Sequence, residues 1–163
     1  MLARRECMSS QRMLAYVKVS IRDAKSWLRE AEGGRAFLKV GSLRIDRVRL
    51  AGFVDRVYEY KNRVELVLTD GSGELVVKVW SEKLGMVDGV NRGSAIEVFG
   101  VLRRYRDVTY VSPDIIRPVS GDVVRLRALE AKLVRELLSN TDKLKSASLA
   151  EGDLGAQEEA QPG

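Results

Sequence analysis

The sequence predicts a mainly β protein: a closed five-stranded barrel with an N-terminal helix and a C-terminal amphipathic α-helix. Three observations carry that prediction. Between Arg44 and Pro118 the chain holds five stretches rich in Val, Leu, Ile and alternating polar residues, the period-2 pattern of half-buried strands. Asp70-Gly71-Ser72-Gly73, a turn composition, joins the second to the third. Residues 81–93 separate the third from the fourth and are long enough for a helical turn.

Each element follows from local chemistry. Residues 1–13 contain Met1, Met8 and Met13 and are expected to be unstructured or untranslated. Tyr16-Val17-Lys18-Val19 alternates and reads as a short strand. Ser20 followed by Asp23 resembles a capping box, which predicts a helix over IRDAKSWLREAE, stopped at Gly33-Gly34. Phe37 to Val40 is extended again. In the first barrel strand Val48 and Leu50 face away from Arg47 and Arg49, and Gly52 reads as the bulge where the barrel bends. Val64, Leu66 and Leu68 share one face of the second strand. Leu75, Val77 and Val79 share one face of the third, with Val76, Lys78 and Trp80 on the other. In the fourth, Ile96, Val98, Gly100 and Leu102 lie opposite Glu97, Phe99, Val101, Arg103 and Tyr105. Five strands with a long third connection form the pattern of an OB-fold, a small barrel that commonly binds single-stranded nucleic acid.

After the barrel Ser120 can cap a helix in which Val123, Leu126, Leu129, Leu133 and Leu137 recur at spacings of three and four, with Val124, Val134 and Leu138 beside them. So apolar a helix needs a cover. Its own barrel is one candidate; the width of the stripe favours a bundle with helices of other chains. The helix is expected to end near Ser139-Asn140. The chain then divides into a lead-in and barrel over 14–118, an oligomerisation helix over 119–140 and an acidic tail over 141–163, expected to be disordered for want of aromatics.

Composition narrows the function. The formal charge is +5; the last 23 residues hold two lysines against five carboxylates, a net −3, so the remainder carries +8. A basic body suits a polyanionic partner, and equally a surface tuned for solubility. The sequence has no histidine, which removes the commonest general base and metal ligand, and with a single cysteine, Cys7, it offers no ordinary zinc site. No cofactor or metal is expected. One cysteine fits a reducing cytoplasm, and the basic N-terminus has no apolar block after it that would make a signal peptide. High charge and rich Arg, Val and Glu usage suit a thermophile. A hydrolase would have to work through carboxylates such as Asp70 and Asp88, which have no telling spacing.

Single-strand binders set cations beside aromatic planes. An OB-fold binds on its second and third strands and on the loops joining strands one to two and four to five. The first of these loops holds Tyr58, Tyr60, Lys61, Asn62 and Arg63; the second is Arg103-Arg104-Tyr105-Arg106-Asp107. Trp80 ends strand three on the face of Lys78, where it fits a base platform or a barrel-end plug equally well. Arg47 and Arg49 can line the same groove. Tyr58 and Tyr60 suit cross-strand packing as well as binding, and Phe53 and Phe99 read as packing residues.

The succession LKVGSLRIDRVRLAGFVDRV, ELVLTDGSGELVVKVW, IEVFGVLRRYRDVTYVSPDIIRPV and an amphipathic helix resembles the middle subunit of replication protein A over roughly residues 16–139. The resemblance implies a single-stranded DNA-binding OB-fold whose C-terminal helix joins helices of a large and a small subunit in a three-helix bundle. The family's two base-stacking aromatics fall on Trp80 and Tyr105, the second usually being phenylalanine. Lys78, Arg103, Arg104 and Arg106 would neutralise phosphates. Eukaryotic members carry a phosphorylated Ser/Gly-rich N-terminus and a winged-helix domain. Neither has a counterpart in this sequence, which with the missing histidine points to an archaeal, cytoplasmic, nucleoid-associated form. A telomere-capping subunit of the same fold and an RNA-binding OB protein are the rival readings.

Overall fold

In the computed structural model, backbone is described for residues 11–13 and 15–159 and side chains for 15–141 and Lys143. In chain order the elements are β1 (Gln11–Met13), β2 (Val17–Lys18), α1 (Ile21–Ser26), β3 (Leu28–Glu30), β4 (Ala36–Val40), β5 (Leu43–Ile45), β6 (Arg47–Glu59), β7 (Arg63–Thr69), β8 (Glu74–Trp80), β9 (Ala95–Tyr105), β10 (Val108–Pro118) and α2 (Gly121–Glu159). A 3-10 segment, Ser81–Val87, fills the long connection between β8 and β9.

Alternation closes the barrel. Val48, Leu50, Leu66, Leu68, Leu75, Val77, Val79, Ile96, Val98, Leu102 and Val111 all point inward and are at most 2% exposed. The hydrogen-bonded order is β6-β7-β8-β10-β9, and β9 returns to β6. Only the β8–β10 pairing within this ring is parallel. A ring of this kind leaves no open sheet edge. This is the OB-fold the strand pattern predicts, now with its topology.

Two glycines let strands pass at close range. A Cβ on Gly52 would lie 2.6 Å from the Thr69 carbonyl oxygen, and one on Gly100 would lie 2.4 Å from that of Ser112. Gly52 is therefore a crossing point rather than the bulge. The register slips three residues later, between Val54 and Arg56.

The lead-in differs from expectation at three places. Ser20 does cap α1, accepting from the Asp23 amide at 3.1 Å, and Asp70 accepts from the Ile21 amide at 3.0 Å. The helix stops at Ser26, however, because Leu28–Glu30 pair with β4, Leu28 lying opposite the fully buried Leu38. Tertiary pairing overrides a local helical preference here. Gly33 and Gly34, with positive φ, turn the chain between β3 and β4 instead of ending a helix. Residues 11–13, expected to be unstructured, form a strand parallel to β5; residues 1–10 lie outside the described residues.

The C-terminal helix has two apolar stripes. Val124 and Ala131 are buried against the barrel, with Val134 and Leu138 packed partly against its core. Leu126, Leu129, Leu133 and Leu137 are 50–67% exposed on another side, and Val123 is half-buried. The expected choice between docking on its own barrel and offering itself to other chains is thus not exclusive. The helix passes Ser139-Asn140 and runs to Glu159, so the disordered reading of 141–159 is replaced by helix. No proline or glycine interrupts the stretch before Gly152, and the Thr141 hydroxyl donates back to the Leu137 carbonyl at 2.8 Å. Residues 160–163 lie outside the described residues.

Candidate nucleic-acid interface

Cross-strand register lays the outward side chains of β6, β7, β8, β10 and β9 in rows. At one end Tyr60 bonds through its amide to the Arg63 carbonyl, and Arg63 lies opposite Trp80. Next come Tyr58, Glu65 and Lys78. The third row is Arg56, Val67, Val76, Tyr110 and Arg103. The Tyr105–Val108 pair, at the tip of the β9–β10 hairpin, closes the far end.

These rows place aromatic faces beside cations. Trp80 is 39% exposed and Tyr105 is 57% exposed, so both leave ring surface open to solvent. The Arg63 guanidinium sits 4.2 Å from the Tyr60 ring centre and 5.6 Å from that of Trp80. The Lys78 ammonium sits 4.3 Å from the Tyr110 ring centre, and Arg106 lies 5.2 Å from the Tyr105 ring. Cation–π contacts of this sort hold long side chains in place without consuming their charge. Lys61 and Arg103 make no side-chain ion pair among the described residues. Open grooves of about 500 and about 580 Å³ flank the face, one under the β9–β10 hairpin and one between Tyr58 and Arg92.

The hairpin that carries Tyr105 is tight and strained. Its two central residues, Arg106 and Asp107, have φ of 48° and 63°. Positive φ at both positions makes a mirror-image turn matching the strand twist, normally built from Asn-Gly. Arg104 points away from the face, its guanidinium 2.7 Å from Glu30 and 3.6 Å from Asp107. It braces the hairpin on the lead-in sheet, helped by the bridge between Arg35 and Arg103.

Arg47 and Arg49 also lie elsewhere. Both are on β6 beside β9, not beside Trp80. The Arg47 guanidinium is 5.8 Å from the Tyr16 ring, and Arg49 is 4.7 Å from the Phe99 ring and bonds Glu97 at 2.9 Å. Glu97 is fully buried, and it also accepts from Arg127 at 2.5 Å and Arg117 at 2.9 Å. Burial would raise its pKa, but the hydrogen bonds from Arg49, Arg127 and Arg117 outweigh that and pull it down to about 2. These arginines are engaged in docking α2. Alternation alone puts Arg49 outward; it cannot tell that a helix covers that side.

Tyr110 is the site residue that sequence reasoning missed. It alternates with the buried Val111, which would have placed it outward, but nothing local shows that β8 brings Lys78 over its ring. Asp70, one of the two carboxylates considered for hydrolysis, is occupied as a cap for α1 and as an acceptor for Ser72.

Comparison with known proteins is informative about the fold. No family model matches the chain. A curated protein of Thermofilum pendens, described as an uncharacterized 18.7 kDa protein in a ribosomal RNA operon, is 37% identical over 76 residues. That match spans 45% of this chain and 44% of the relative's length. Among solved structures, a chain of the S. pombe Stn1–Ten1 complex superposes with a TM-score of 0.71 at 14% identity, covering 80% of this chain and 98% of that one. A chain of a replication protein A heterotrimer bound to ssDNA gives 0.65 at 17% identity, covering 77% and 98%. At such identities the likeness is one of fold. It extends over nearly the whole of both comparison chains.

Proposed function

We propose that this chain is a non-enzymatic, single-stranded DNA-binding subunit of a replication protein A-like assembly. The observation that carries the reading is the outer face of β7, β8 and β10, where Trp80, Tyr110 and Tyr105 follow one another beside Arg63, Lys78 and Arg103. Bases stack on the exposed rings, and cations flanking them neutralise phosphates. A single barrel of this kind binds modestly and loses affinity steeply with salt. The exposed stripe Leu126, Leu129, Leu133, Leu137 would pack with helices of a large and a small partner subunit, with Val123 at its start. Tethering to further barrels then raises affinity by effective concentration. The role would be protection of single-stranded DNA in replication, recombination and repair.

Fluorescence anisotropy with a single-stranded oligonucleotide tests the binding half. Trp80→Ala and Tyr105→Ala should each weaken binding by about 1–3 kcal/mol. Unchanged affinity in the double variant would make both residues structural and end the reading. Leu126, Leu133 and Leu137 changed together to Gln test the assembly half: co-purifying OB-fold subunits should be lost while the barrel keeps its thermal transition. A telomere-capping-like subunit, acting mainly through protein contacts, is the second reading, favoured by that same leucine stripe. Assembly that persists with no measurable oligonucleotide binding would select it.

A further inference from the structure

We propose that Glu65 reads the base seated beside Trp80 and favours cytosine and adenine over thymine in the bound strand. This rests on the single-strand-binding reading above and adds a specificity to it. Glu65 is the one carboxylate among the central rows of the face. It lies opposite Lys78 and two positions along β7 from Arg63, the partner of Trp80. Diagonal neighbours of that kind are about 7–8 Å apart, so the edge of a base stacked on the indole lies within reach of the carboxylate.

The carboxylate is held, and half of it is unused. Arg63 Nε lies 3.1 Å and Lys78 Nζ 3.7 Å from the same oxygen, Oε1, and the side chain is only 15% exposed. Among the described residues the second oxygen, Oε2, has no hydrogen-bond partner. An ionised carboxylate only accepts. Cytosine and adenine each present an exocyclic amino group, N4 or N6, that can donate to it. Thymine presents a carbonyl oxygen there, and its single ring N–H is flanked by two carbonyls that repel an anion. Glu or Asp accepting from cytosine N4 is an established pairing in base readout. The simpler role for Glu65, holding Arg63 and Lys78 apart, predicts no base preference.

The two roles separate in one experiment on the full chain: anisotropy titration of twelve-nucleotide dC, dA and dT homo-oligomers at fixed salt and neutral pH. Wild type should bind dC and dA roughly five- to tenfold more tightly than dT, the lower range for a single discriminating contact. In Glu65→Gln the amide both donates and accepts, so the ratio should fall to within about twofold while overall affinity rises with the lost negative charge. Equal binding of all three by wild type overturns the proposal without recourse to a variant. So does a full ratio retained by folded Glu65→Gln. Binding to none of the oligomers overturns the single-strand reading itself and this proposal with it.

Discussion

Two sides of the barrel set a glutamate among cations, and the proposed binding face differs from the helix-docking side in how deeply that glutamate is buried. On the outer face of β7 and β8, Glu65 is 15% exposed beside Arg63 and Lys78, and the two cations also lie against the exposed Trp80 ring and the half-buried Tyr110 ring. Where β6 and β9 meet α2, Glu97 is fully buried among Arg49, Arg117 and Arg127. In the proposed function the first group meets a polyanion through Arg63 and Lys78. The second uses its arginines to compensate one buried carboxylate and thereby fastens the helix. Net charge counts both groups alike; what tells them apart is the carboxylate, 15% exposed at Glu65 and fully buried at Glu97.

The largest expected effect tests the buried side. Glu97→Ala leaves three arginines without their common partner, and breaking a buried ion pair this way costs about 3–5 kcal/mol. Denaturant unfolding should show that loss, with oligonucleotide affinity of the folded fraction unchanged. The pH dependence follows from the same residue. Its folded pKa of about 2 lies below the ordinary 4.5, so its contribution is complete above pH 4.5 and is lost as pH falls toward 2. Wild type should lose stability across that window, on the order of 3 kcal/mol from this group, and Glu97→Gln should lack the component. A flat wild-type profile there would mean that the helix is not held by this network.

The next effect is the loss of stacking on the open side. Trp80→Ala and Tyr105→Ala should reduce affinity by about 1–3 kcal/mol each with little change in melting temperature, because both rings are exposed. A large fall in stability would assign the rings to packing and erase the contrast.

A smaller effect compares one cation from each side. Lys78→Gln should lower the slope of log affinity against log salt by about one, as expected for one phosphate contact removed. Arg49→Gln should leave the slope unchanged and lower stability instead, since its guanidinium is bonded to Glu97. Equal slopes for the two variants would mean that engagement with the buried Glu97 does not sort these cations.

The barrel was largely legible in the sequence because period-2 alternation reports on a strand's two faces directly. Val48 and Leu50 turned inward against Arg47 and Arg49, and the inward sets of β7, β8 and β9 are the ones the alternation names. What lies outside an outward face is decided by distant segments. Arg49 reads as a surface cation until α2 lays Arg127 beside the same carboxylate. Arg104 reads as part of a basic loop until Glu30 arrives from β3, a strand whose local sequence is helical in character. Tyr110 becomes a site residue only through the parallel pairing of β10 with β8, a contact across more than thirty residues of chain. The two stripes of α2 are visible as apolar positions, but their division between barrel and solvent depends on which residues the barrel meets.

The smallest expected effect concerns the turn that aims Tyr105. Asp107 adopts φ of 63° without being glycine, a conformation that costs an L residue roughly 1 kcal/mol or more. Asp107→Gly relieves that strain. It gives up the 3.6 Å contact with Arg104, which is exposed on the Asp107 side and worth a few tenths of a kcal/mol at most. The variant should therefore be more stable by about 0.5–1 kcal/mol. Its effect on binding discriminates between two uses of the strain. If the turn serves only to close the hairpin, affinity for single strands stays level or rises slightly as a carboxylate leaves the face. If the backbone strain fixes the angle at which Tyr105 meets a base, the more stable variant binds less tightly. The second outcome would place Asp107 on the binding side of the molecule although its own side chain repels the ligand.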